Sequence, residues 1–498
     1  MEKAEGENQL RNIARMELEE DEELEPVSPT GQYLNSSVLS LSVLSILESE
    51  VPIDDSQAMS LLKDVFLPIN PRFSSIMVAD QNGEKQWKKV EVELKKHVKV
   101  PIFPSGLPLK SYDKFLHDYI SQIGLEQLPQ SQPLWDIHII KYPTSHAAGV
   151  LIFKLHHSLG DGFSLMGALL SCLQRADNPS RPLTFPSIGF SLNNNNNSIF
   201  RRVSKIFSMV PETVLDFCWS IAKSTLVKDD LTPIRSGNAG VEFRPITVAT
   251  MTFSIDDIKQ IKTKVGAMSC RVYSFTTTIN LASSFKLKET INDVVVGIIF
   301  LGIRLYMQEM RQDASKAEST ALVLLNTRVF RSYEQVKDMV KPDAKAPWGN
   351  YFAFLHVSIP ELTYATFANP LEFVFKAQQI INRKKNSLAV YLTGRLLEII
   401  KKFRSPEAAS GYVYSTLKNS SMAITNMVGP VEKMALANHP IKGLYFIVAG
   451  APQSLSLTIV SYMGKLRVTV VAEDGFIDSQ KLKSCIENAF QMMLHSTS

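Results

Sequence analysis

The feature that most constrains this chain is the heptad His156–Gly162, with the sequence HHSLGDG. It follows the apolar run 149–155, which predicts a buried strand, and precedes residues 163–175, whose apolar side chains recur at helical spacing. The heptad is therefore predicted to form a strand-to-helix turn, where glycines allow backbone conformations that other residues resist. A carboxylate at Asp161 can pair with a cation elsewhere or cap the following helix.

This turn has the composition of a general-base site. A neutral imidazole at His157 can take a proton near pH 7, because histidine has an unperturbed pKa of about 6.5. A positioned base of this kind contributes about 10²–10⁴ in rate. Ser158 is adjacent in sequence, but adjacency does not supply the geometry of a serine nucleophile. The pattern favours direct transfer, in which His157 activates a substrate hydroxyl. The alternative is a structural histidine pair with Asp161 as a helix cap.

Length and composition limit the class of protein. At 498 residues the chain is too long for one ordinary core, so two domains are expected. Its 45% hydrophobic and 20% charged residues are typical of a globular protein, and a net charge of +4 is too weak to indicate nucleic-acid binding. The four cysteines lack CxxC spacing, which predicts reduced thiols in a cytosol-facing protein and no metal site.

The chain divides into four predicted segments. Residues 1–25 are acidic with few large apolar side chains and are predicted to be disordered, with no apolar stretch that indicates a secretory signal. Residues 26–190 and 246–498 both interleave predicted helices and strands, which favours an α/β layer sandwich in each. Residues 191–245 start beside five consecutive asparagines and are predicted to be a linker with a crossover helix.

Segment 209–227 inside that linker is mostly apolar. Glu212, Asp216 and Lys223 interrupt it, whereas a transmembrane helix needs about 20 predominantly apolar residues. We therefore predict an amphipathic helix that lies on a membrane surface together with the basic lead-in 201–207. A solvated crossover helix without lipid contact is the alternative.

One helix of the second half stands out. Val294 to Ile303 is continuously apolar, which predicts a buried helix that is too short to span a bilayer. Asn292 and Asp293 lie in its first turn, where their simplest role is N-capping. Further along, Asn350 is interpreted as a turn residue, with a place in the cleft as the alternative.

Three short motifs resemble those of known acyltransferases. His156–Gly162 resembles the HHxxxDG signature of CoA-dependent acyltransferases and peptide-synthetase condensation domains. The tripeptide 133–135 resembles the PLW motif, and 292–293 the ND motif, of the wax ester synthase/diacylglycerol acyltransferase family. The likeness to the plant members covers roughly residues 26–498. HHxxxDG alone specifies a superfamily, whereas the three motifs in this order are much more specific.

The resemblance implies a fold and a reaction. The relatives have two chloramphenicol-acetyltransferase-like α/β sandwich domains, so an interdomain active-site tunnel with His157 at its middle is expected. The implied activity moves a fatty acyl group from acyl-CoA to a long-chain alcohol or to diacylglycerol, without a covalent intermediate. Acyl-CoA is then a co-substrate, and no cofactor is expected. A cytosol-facing location at the endoplasmic reticulum or plasma membrane is carried over from plant relatives.

The resemblance also implies roles for the heptad residues. His157 is the implied proton acceptor. His156 supports the fold or the ring orientation of its neighbour. Asp161 is structural, and Gly162 lets the helix start tightly.

The other two motifs are implied to be substrate-binding. Pro133, Leu134 and Trp135 would shape the acyl or acyl-CoA site, although a core aromatic at a strand start is an equally good interpretation of Trp135. Asn292 and Asp293 would order the cleft opposite the histidine, with Asn292 donating a hydrogen bond to a reacting oxygen.

Residues 268–289 depart from the family pattern, which would run from 264–267 almost directly into 290–293. The segment is rich in serine and threonine without clear apolar periodicity, and we interpret it as an insertion from a retained intron or a gene-model error. A spliced transcript that lacks these codons would support this interpretation, and uniform inclusion would contradict it.

Three other functions stay open from the sequence. One is an acyltransferase for phenolic or specialised alcohols, although the DFGWG motif of that family is not found. Another is a condensation domain, although no carrier motif accompanies it. The third is a non-catalytic lipid-binding relative that the insertion has disabled.

Overall fold

The computed structural model describes residues 24–81, 83–184, 213–276, 290–328, 339 and 347–496, with the backbone alone for 268–276. The strands are β1 Glu25–Pro26, β2 Ser42–Ser49, β3 Ser75–Ala79, β4 Lys85–Lys89, β5 Val98–Lys99, β6 Trp135–Ile140, β7 Gly149–His156, β8 Gln174–Arg175, β9 Ile246–Ser254, β10 Thr320–Asn326, β11 Phe352–Ser358, β12 Met422–Val428, β13 Met434–Leu436, β14 His439–Ala449, β15 Leu455–Tyr462 and β16 Lys465–Glu473.

Helices alternate with these strands. The α-helices are α1 Pro29–Tyr33, α2 Ala58–Leu61, α3 Leu94–His97, α4 Leu109–Leu125, α5 Gly162–Ser171, α6 213–225, α7 Ile255–Thr276, α8 Ile291–Met310, α9 Tyr364–Ala368, α10 Leu371–Asn386, α11 Ala389–Phe403, α12 Pro406–Asn419 and α13 Ser479–His495. Short π- and 3₁₀-helical turns lie at Leu62–Phe66, Leu67–Ile69, Pro71–Ser74, Val241–Phe243 and Gln312–Lys316. The predicted α/β class is confirmed.

A seven-stranded sheet carries the heptad. Its strand order is β5-β6-β7-β2-β14-β13-β8, so β7 lies inside the sheet between β6 and β2, antiparallel to both. All eight residues of β7 are buried, because the sheet is covered on both faces. This explains why the run 149–155 is apolar without alternation except at Lys154, whose buried ammonium group donates to the Glu126 carbonyl. Strands β13 and β14 come from near the end of the chain and complete a sheet that otherwise consists of residues before 176.

A six-stranded sheet, in the order β11-β10-β12-β15-β16-β9, forms the second layer system around α8. The run Val294–Ile303 in α8 is fully buried, which confirms the predicted buried helix. A Cβ added at Gly297 would lie 2.6 Å from Cα of Val374 in α10, and one at Gly302 would lie 2.6 Å from Cα of Ile486 in α13. Glycine at these two positions therefore lets α8 pack against both neighbours at backbone distance.

Among the described residues, α8 is also the one helix whose length and composition would suffice to cross a membrane. In this structure 78% of its apolar window is buried inside the protein, so it is a core helix.

Several predicted segments fall partly outside the described residues. Residues 1–23 of the acidic segment, the asparagine tract, the basic lead-in 201–207 and residues 277–289 of the predicted insertion lie there. The first part of that insertion, 268–276, continues α7 as helix. Residues 213–225 of the predicted crossover helix form α6.

Candidate active site

The heptad forms the predicted turn between β7 and α5. The Asp161 side chain caps α5: its Oδ1 accepts from the backbone N–H of Ser164 at 3.0 Å, which satisfies one of the donors that a helix N-terminus leaves unpaired. A Cβ on Gly162 would lie 2.9 Å from Sδ of Met427, so any larger residue at the start of the helix would push that side chain aside.

The His157 ring is held by two reciprocal hydrogen bonds with Asn350. The Asn350 side-chain Nδ2 donates to the His157 carbonyl oxygen at 3.0 Å, and Asn350 Oδ1 lies 3.0 Å from Nδ1 of the ring. Because an amide oxygen can only accept, Nδ1 must carry the proton. The neutral ring therefore has its lone pair on Nε2, and no hydrogen bond reaches Nε2 from the residues that the structure describes.

The surroundings of His157 favour its neutral form. The side chain is buried, and this burial lowers its pKa from the ordinary value, opposed in part by the nearby carboxylate of Asp161 and by the Asn350 hydrogen bond. The Phe352 ring lies 5.4 Å away between centroids and supplies an apolar wall. A buried neutral imidazole with one free lone pair can act as a general base.

His156 is arranged differently. The Ser158 backbone N–H donates to its Nδ1 at 3.1 Å, so Nδ1 carries no proton, and the ring Nε2 can donate to Ser40 Oγ at 3.1 Å. Burial and the neighbouring His157 lower its pKa to about 3. Both ring nitrogens are thus occupied inside the protein, which suits a structural side chain.

Asp161 has a second partner besides the helix it caps. Arg328, which follows β10, donates to both carboxylate oxygens, at 2.6 Å to Oδ2 and 3.1 Å to Oδ1. The Tyr351 backbone N–H donates to Oδ2 at 2.9 Å. The two charged side chains are 6% and 0% exposed, so this is a buried ion pair in which the carboxylate is fully hydrogen-bonded. It joins a turn of the seven-stranded sheet to a strand end of the six-stranded sheet.

Loop 347–351 closes over the same turn. The Trp348 indole N–H donates to the Leu159 carbonyl at 2.7 Å, and the Gly349 carbonyl accepts from the Asp161 backbone N–H at 3.1 Å. The Gly349 carbonyl also accepts from Arg328 at 2.9 Å. These contacts fix the loop, and with it Asn350, against His157.

Pro133, Leu134 and Trp135 lie behind the turn, in the core. Leu134 and Trp135 are 0% exposed, so they can shape a site only indirectly. The Trp135 indole donates to the Phe73 carbonyl at 2.8 Å, and its ring stacks on His97 at 4.1 Å between centroids. The core interpretation describes Trp135, and the implied substrate-binding role of the tripeptide stays a prediction.

Asn292 and Asp293 start α8, but the capping residue is Thr290. Thr290 and Asp293 form a reciprocal capping box, in which Asp293 Oδ2 accepts from the Thr290 backbone N–H at 2.9 Å. Asn292 accepts a hydrogen bond from Asn426 of β12 at 3.0 Å, at an exposed position. Of the two residues, Asp293 therefore takes part in capping the helix and Asn292 does not. Their implied role in the cleft stays a prediction.

The sequence did not predict the roles of two residues of the site. Arg328 is not among the predicted site residues, and the turn interpretation of Asn350 misses its buried side-chain contacts with His157. Both lie in loops next to strands of the second half, Arg328 after β10 and Asn350 before β11. That position is the one signal the sequence offers, because functional side chains concentrate on such loops.

Family models match most of the described chain. The wax ester synthase/diacylglycerol acyltransferase catalytic domain matches residues 67–273, and the WS/DGAT C-terminal domain matches residues 348–494. The first range contains the whole heptad, and the second contains Asn350. The heptad and Asn350 therefore fall inside regions of one family, and Arg328 lies between the two matched ranges.

Individual proteins of this family are similar to the chain over most of its length. Wax ester synthase/diacylglycerol acyltransferase 5 of Arabidopsis thaliana is 29% identical over 496 residues, covering 94% of this chain and 92% of its own. Wax ester synthase/diacylglycerol acyltransferase 4 of the same plant is 28% identical over 487 residues, covering 92% and 87%.

Solved structures share the fold. The wax ester synthase/diacylglycerol acyltransferase from Marinobacter aquaeolei VT8 superposes with a TM-score of 0.57 at 16% identity, covering 95% of this chain and 99% of that one. The first condensation domain of the calcium-dependent antibiotic synthetase superposes with a TM-score of 0.52 at 12% identity, covering 92% and 91%. The two-domain α/β sandwich fold expected from the motifs is thereby confirmed, and the expected interdomain tunnel at His157 stays a prediction.

Proposed function

Because the chain belongs to the wax ester synthase/diacylglycerol acyltransferase family and is an acyltransferase, we propose that it moves a fatty acyl group from acyl-CoA to a hydroxyl group. The acceptor is a long-chain alcohol, a diacylglycerol or both, and the products are wax ester or triacylglycerol plus CoA. The observation that carries the proposal is the reciprocal pairing of His157 with Asn350, which leaves one ring nitrogen as a base.

The proposed reaction is a direct transfer. Nε2 of His157 takes the proton of the acceptor hydroxyl while the hydroxyl oxygen attacks the thioester carbonyl. The resulting tetrahedral oxyanion collapses, its carbon–sulfur bond breaks, and CoA leaves as the thiolate. The imidazolium of His157 then returns its proton to the sulfur, so the enzyme ends as it began. No serine or cysteine needs to be acylated.

Asn350 has a positioning role in this proposal. Its side-chain oxygen accepts from Nδ1, so the tautomer with a basic Nε2 is favoured, and the same oxygen stabilises the imidazolium that forms. An aspartate has this role in the Ser-His-Asp triad. A neutral amide raises the pKa of the base less than a carboxylate does, which suits a base that must be neutral before it reacts.

The buried pair of Asp161 and Arg328 positions both partners. It fixes the turn that carries His157 and, through the Tyr351 backbone, the loop that carries Asn350. The pair thereby holds together two side chains that come from different sheets. In this proposal neither charge touches the substrate.

The test is an acyl-transfer assay with purified full-length protein and labelled palmitoyl-CoA. Separate reactions receive hexadecanol, dipalmitoylglycerol or a phenolic alcohol, and products are separated by thin-layer chromatography. We expect labelled wax ester or triacylglycerol from the wild type, and at least about a hundredfold less from His157→Ala. Labelled ester only with the phenolic alcohol would move the protein to the specialised-alcohol class. If no acceptor gives an ester, the result favours a non-catalytic lipid-binding function.

A further inference from the structure

Helix α6 buries its charged side chains and exposes large apolar ones, the reverse of an ordinary surface helix. Its charged residues Asp216 and Lys223 are 8% and 1% exposed, whereas Leu215 is 70%, Val214 52% and Trp219 40% exposed. Soluble proteins normally direct apolar residues of such helices inward. This helix therefore presents an apolar surface that the described part of the chain does not cover.

Helix α11 presents a second apolar surface. Leu388, just before the helix, and Leu392, Ile399 and Phe403 recur at a spacing of three or four residues or its multiple, so they lie along one side. They are 53%, 39%, 53% and 76% exposed. Within α11, Ala389 is the one buried residue.

Polar contacts join α6 to the segment just before α11, and we call the exposed apolar residues of the two helices the docking face. Asp216 of α6 pairs with Arg383 at 3.3 Å and with Lys384 at 3.2 Å, at the end of α10. The Leu388 backbone N–H donates to Thr213 Oγ1 of α6 at 3.4 Å. These contacts set the exposed apolar residues of α6 beside the start of the α11 stripe.

The docking face carries positive charge at the C-terminal end of α11. Residues 383–404 contain seven basic residues and a single acidic one. Some basic side chains are paired, as Arg395 is with Glu398 at 2.8 Å. Lys402 and Arg404 form no ion pair with any residue that the structure describes. An apolar stripe that ends at two cations without ion pairs fits a surface of anionic lipids.

We propose that the docking face, formed by 214–219 of α6 and 388–404 around α11, binds the anionic surface of a lipid bilayer. Its apolar side chains enter the boundary between headgroups and acyl chains, and Lys402 and Arg404 meet anionic headgroups. The proposal places the membrane contact of this chain mainly on α11, which the sequence did not suggest. The purpose of the contact rests on the proposed function; the contact itself does not.

The inner side of α11 connects this face to the catalytic turn. Leu397 and Ile400 are partly buried and pack against a buried apolar cluster, against which Phe352 also packs. The Phe352 ring is the wall beside His157, at 5.4 Å between centroids. A bilayer bound to the docking face would therefore lie across one helix from apolar side chains that reach the catalytic base. That arrangement suits an acceptor that is itself dissolved in lipid.

The test is vesicle flotation of the full chain without substrates. Vesicles contain phosphatidylcholine alone or phosphatidylcholine mixed with phosphatidylserine. We expect the wild type to float with the mixed vesicles and release with salt. Ile399→Gln/Phe403→Gln should weaken binding at least about tenfold, because both apolar contacts are lost. Lys402→Glu/Arg404→Glu should weaken binding to mixed vesicles by about tenfold or more and reduce the preference for anionic lipid.

A matched control keeps the test specific. Ile102 and Phe243 are 90% and 65% exposed but lie outside the docking face, so Ile102→Gln/Phe243→Gln should bind like the wild type. The proposal is overturned if the wild type stays unbound, or if the α11 variant floats as well as the wild type. A lipid-free dimer that the α11 variant abolishes would also overturn it and assign the face to a second copy of the chain. Because no substrate is present, a failure of acyl transfer leaves these outcomes unchanged.

Discussion

His156 and His157 are adjacent, are 1% and 6% exposed, and both have a pKa lowered chiefly by burial. They differ in how many of their ring nitrogens the described residues occupy. Ser158 and Ser40 take both nitrogens of His156, whereas Asn350 takes one nitrogen of His157. Burial and a low pKa therefore do not distinguish a base from a structural histidine. A lone pair without a partner does.

The largest expected difference between the two histidines appears when each ring is removed in turn. His157→Ala should lower kcat/KM by about 10²–10⁴, because the base is lost while the fold is kept. His156→Ala should instead lower the free energy of unfolding by about 1–3 kcal/mol, because buried partners are left unpaired. Acyl-transfer kinetics and urea unfolding of both variants measure the two effects. A fully active His157→Ala would remove the proposed base.

The second prediction concerns the ion pair that holds the turn. Arg328→Met should lower the free energy of unfolding by about 3–5 kcal/mol, because it leaves the Asp161 carboxylate buried without its cation. Arg395→Met is the matched control: its pair with Glu398 is exposed, so the change should be below about 1 kcal/mol. Equal midpoints in chemical denaturation would show that the buried pair does not stabilise the turn.

The third prediction widens the difference between the two histidines by removing the Asn350 side chain that holds His157. Asn350→Ala should lower kcat at least about tenfold with little change in KM, because the ring loses its fixed tautomer but the substrate site keeps its walls. Asn350→Asp should recover part of the rate, because a carboxylate also accepts from Nδ1. A variant in which KM rises and kcat is unchanged would place Asn350 in substrate binding instead.

The smallest expected effect is a displaced pH profile. Because burial lowers the pKa of His157, its neutral form persists below the ordinary histidine value of about 6.5. The kcat/KM of the wild type should therefore fall only as the pH drops through that lowered pKa, and stay level above it. Asn350→Asp should move this acid limb to higher pH, since a carboxylate stabilises the imidazolium. An unmoved limb would show that another group titrates.

Local features of the sequence were enough for part of the fold and site. The strand-to-helix turn and the buried helix α8 follow from apolar runs and glycines within a few residues of one another. Asn350 and Arg328 could not be found this way, because they stand 193 and 167 residues away from the heptad positions they contact. Their contact depends on how two sheets meet, which periodicity does not encode.

The orientation of α6 was unpredictable for the same reason. Its sequence is apolar with interrupting charges, and a surface helix would normally direct those charges outward. The reverse holds because partners for Asp216 and Lys223 are supplied elsewhere in the chain: Lys384 for the first, Asp229 and Glu318 for the second. Sequence alone gives the charges, but not which side of the helix meets their partners.

The late strands of the seven-stranded sheet have a consequence for biogenesis. β14 borders β2, and β2 in turn borders β7, which ends at His156. A ribosome therefore completes the seven-stranded sheet only after it has translated residue 449, long after the heptad has emerged. A stop codon that removes β14 should therefore abolish acyl transfer. An N-terminal half expressed alone should bind chaperones and show no acyl transfer.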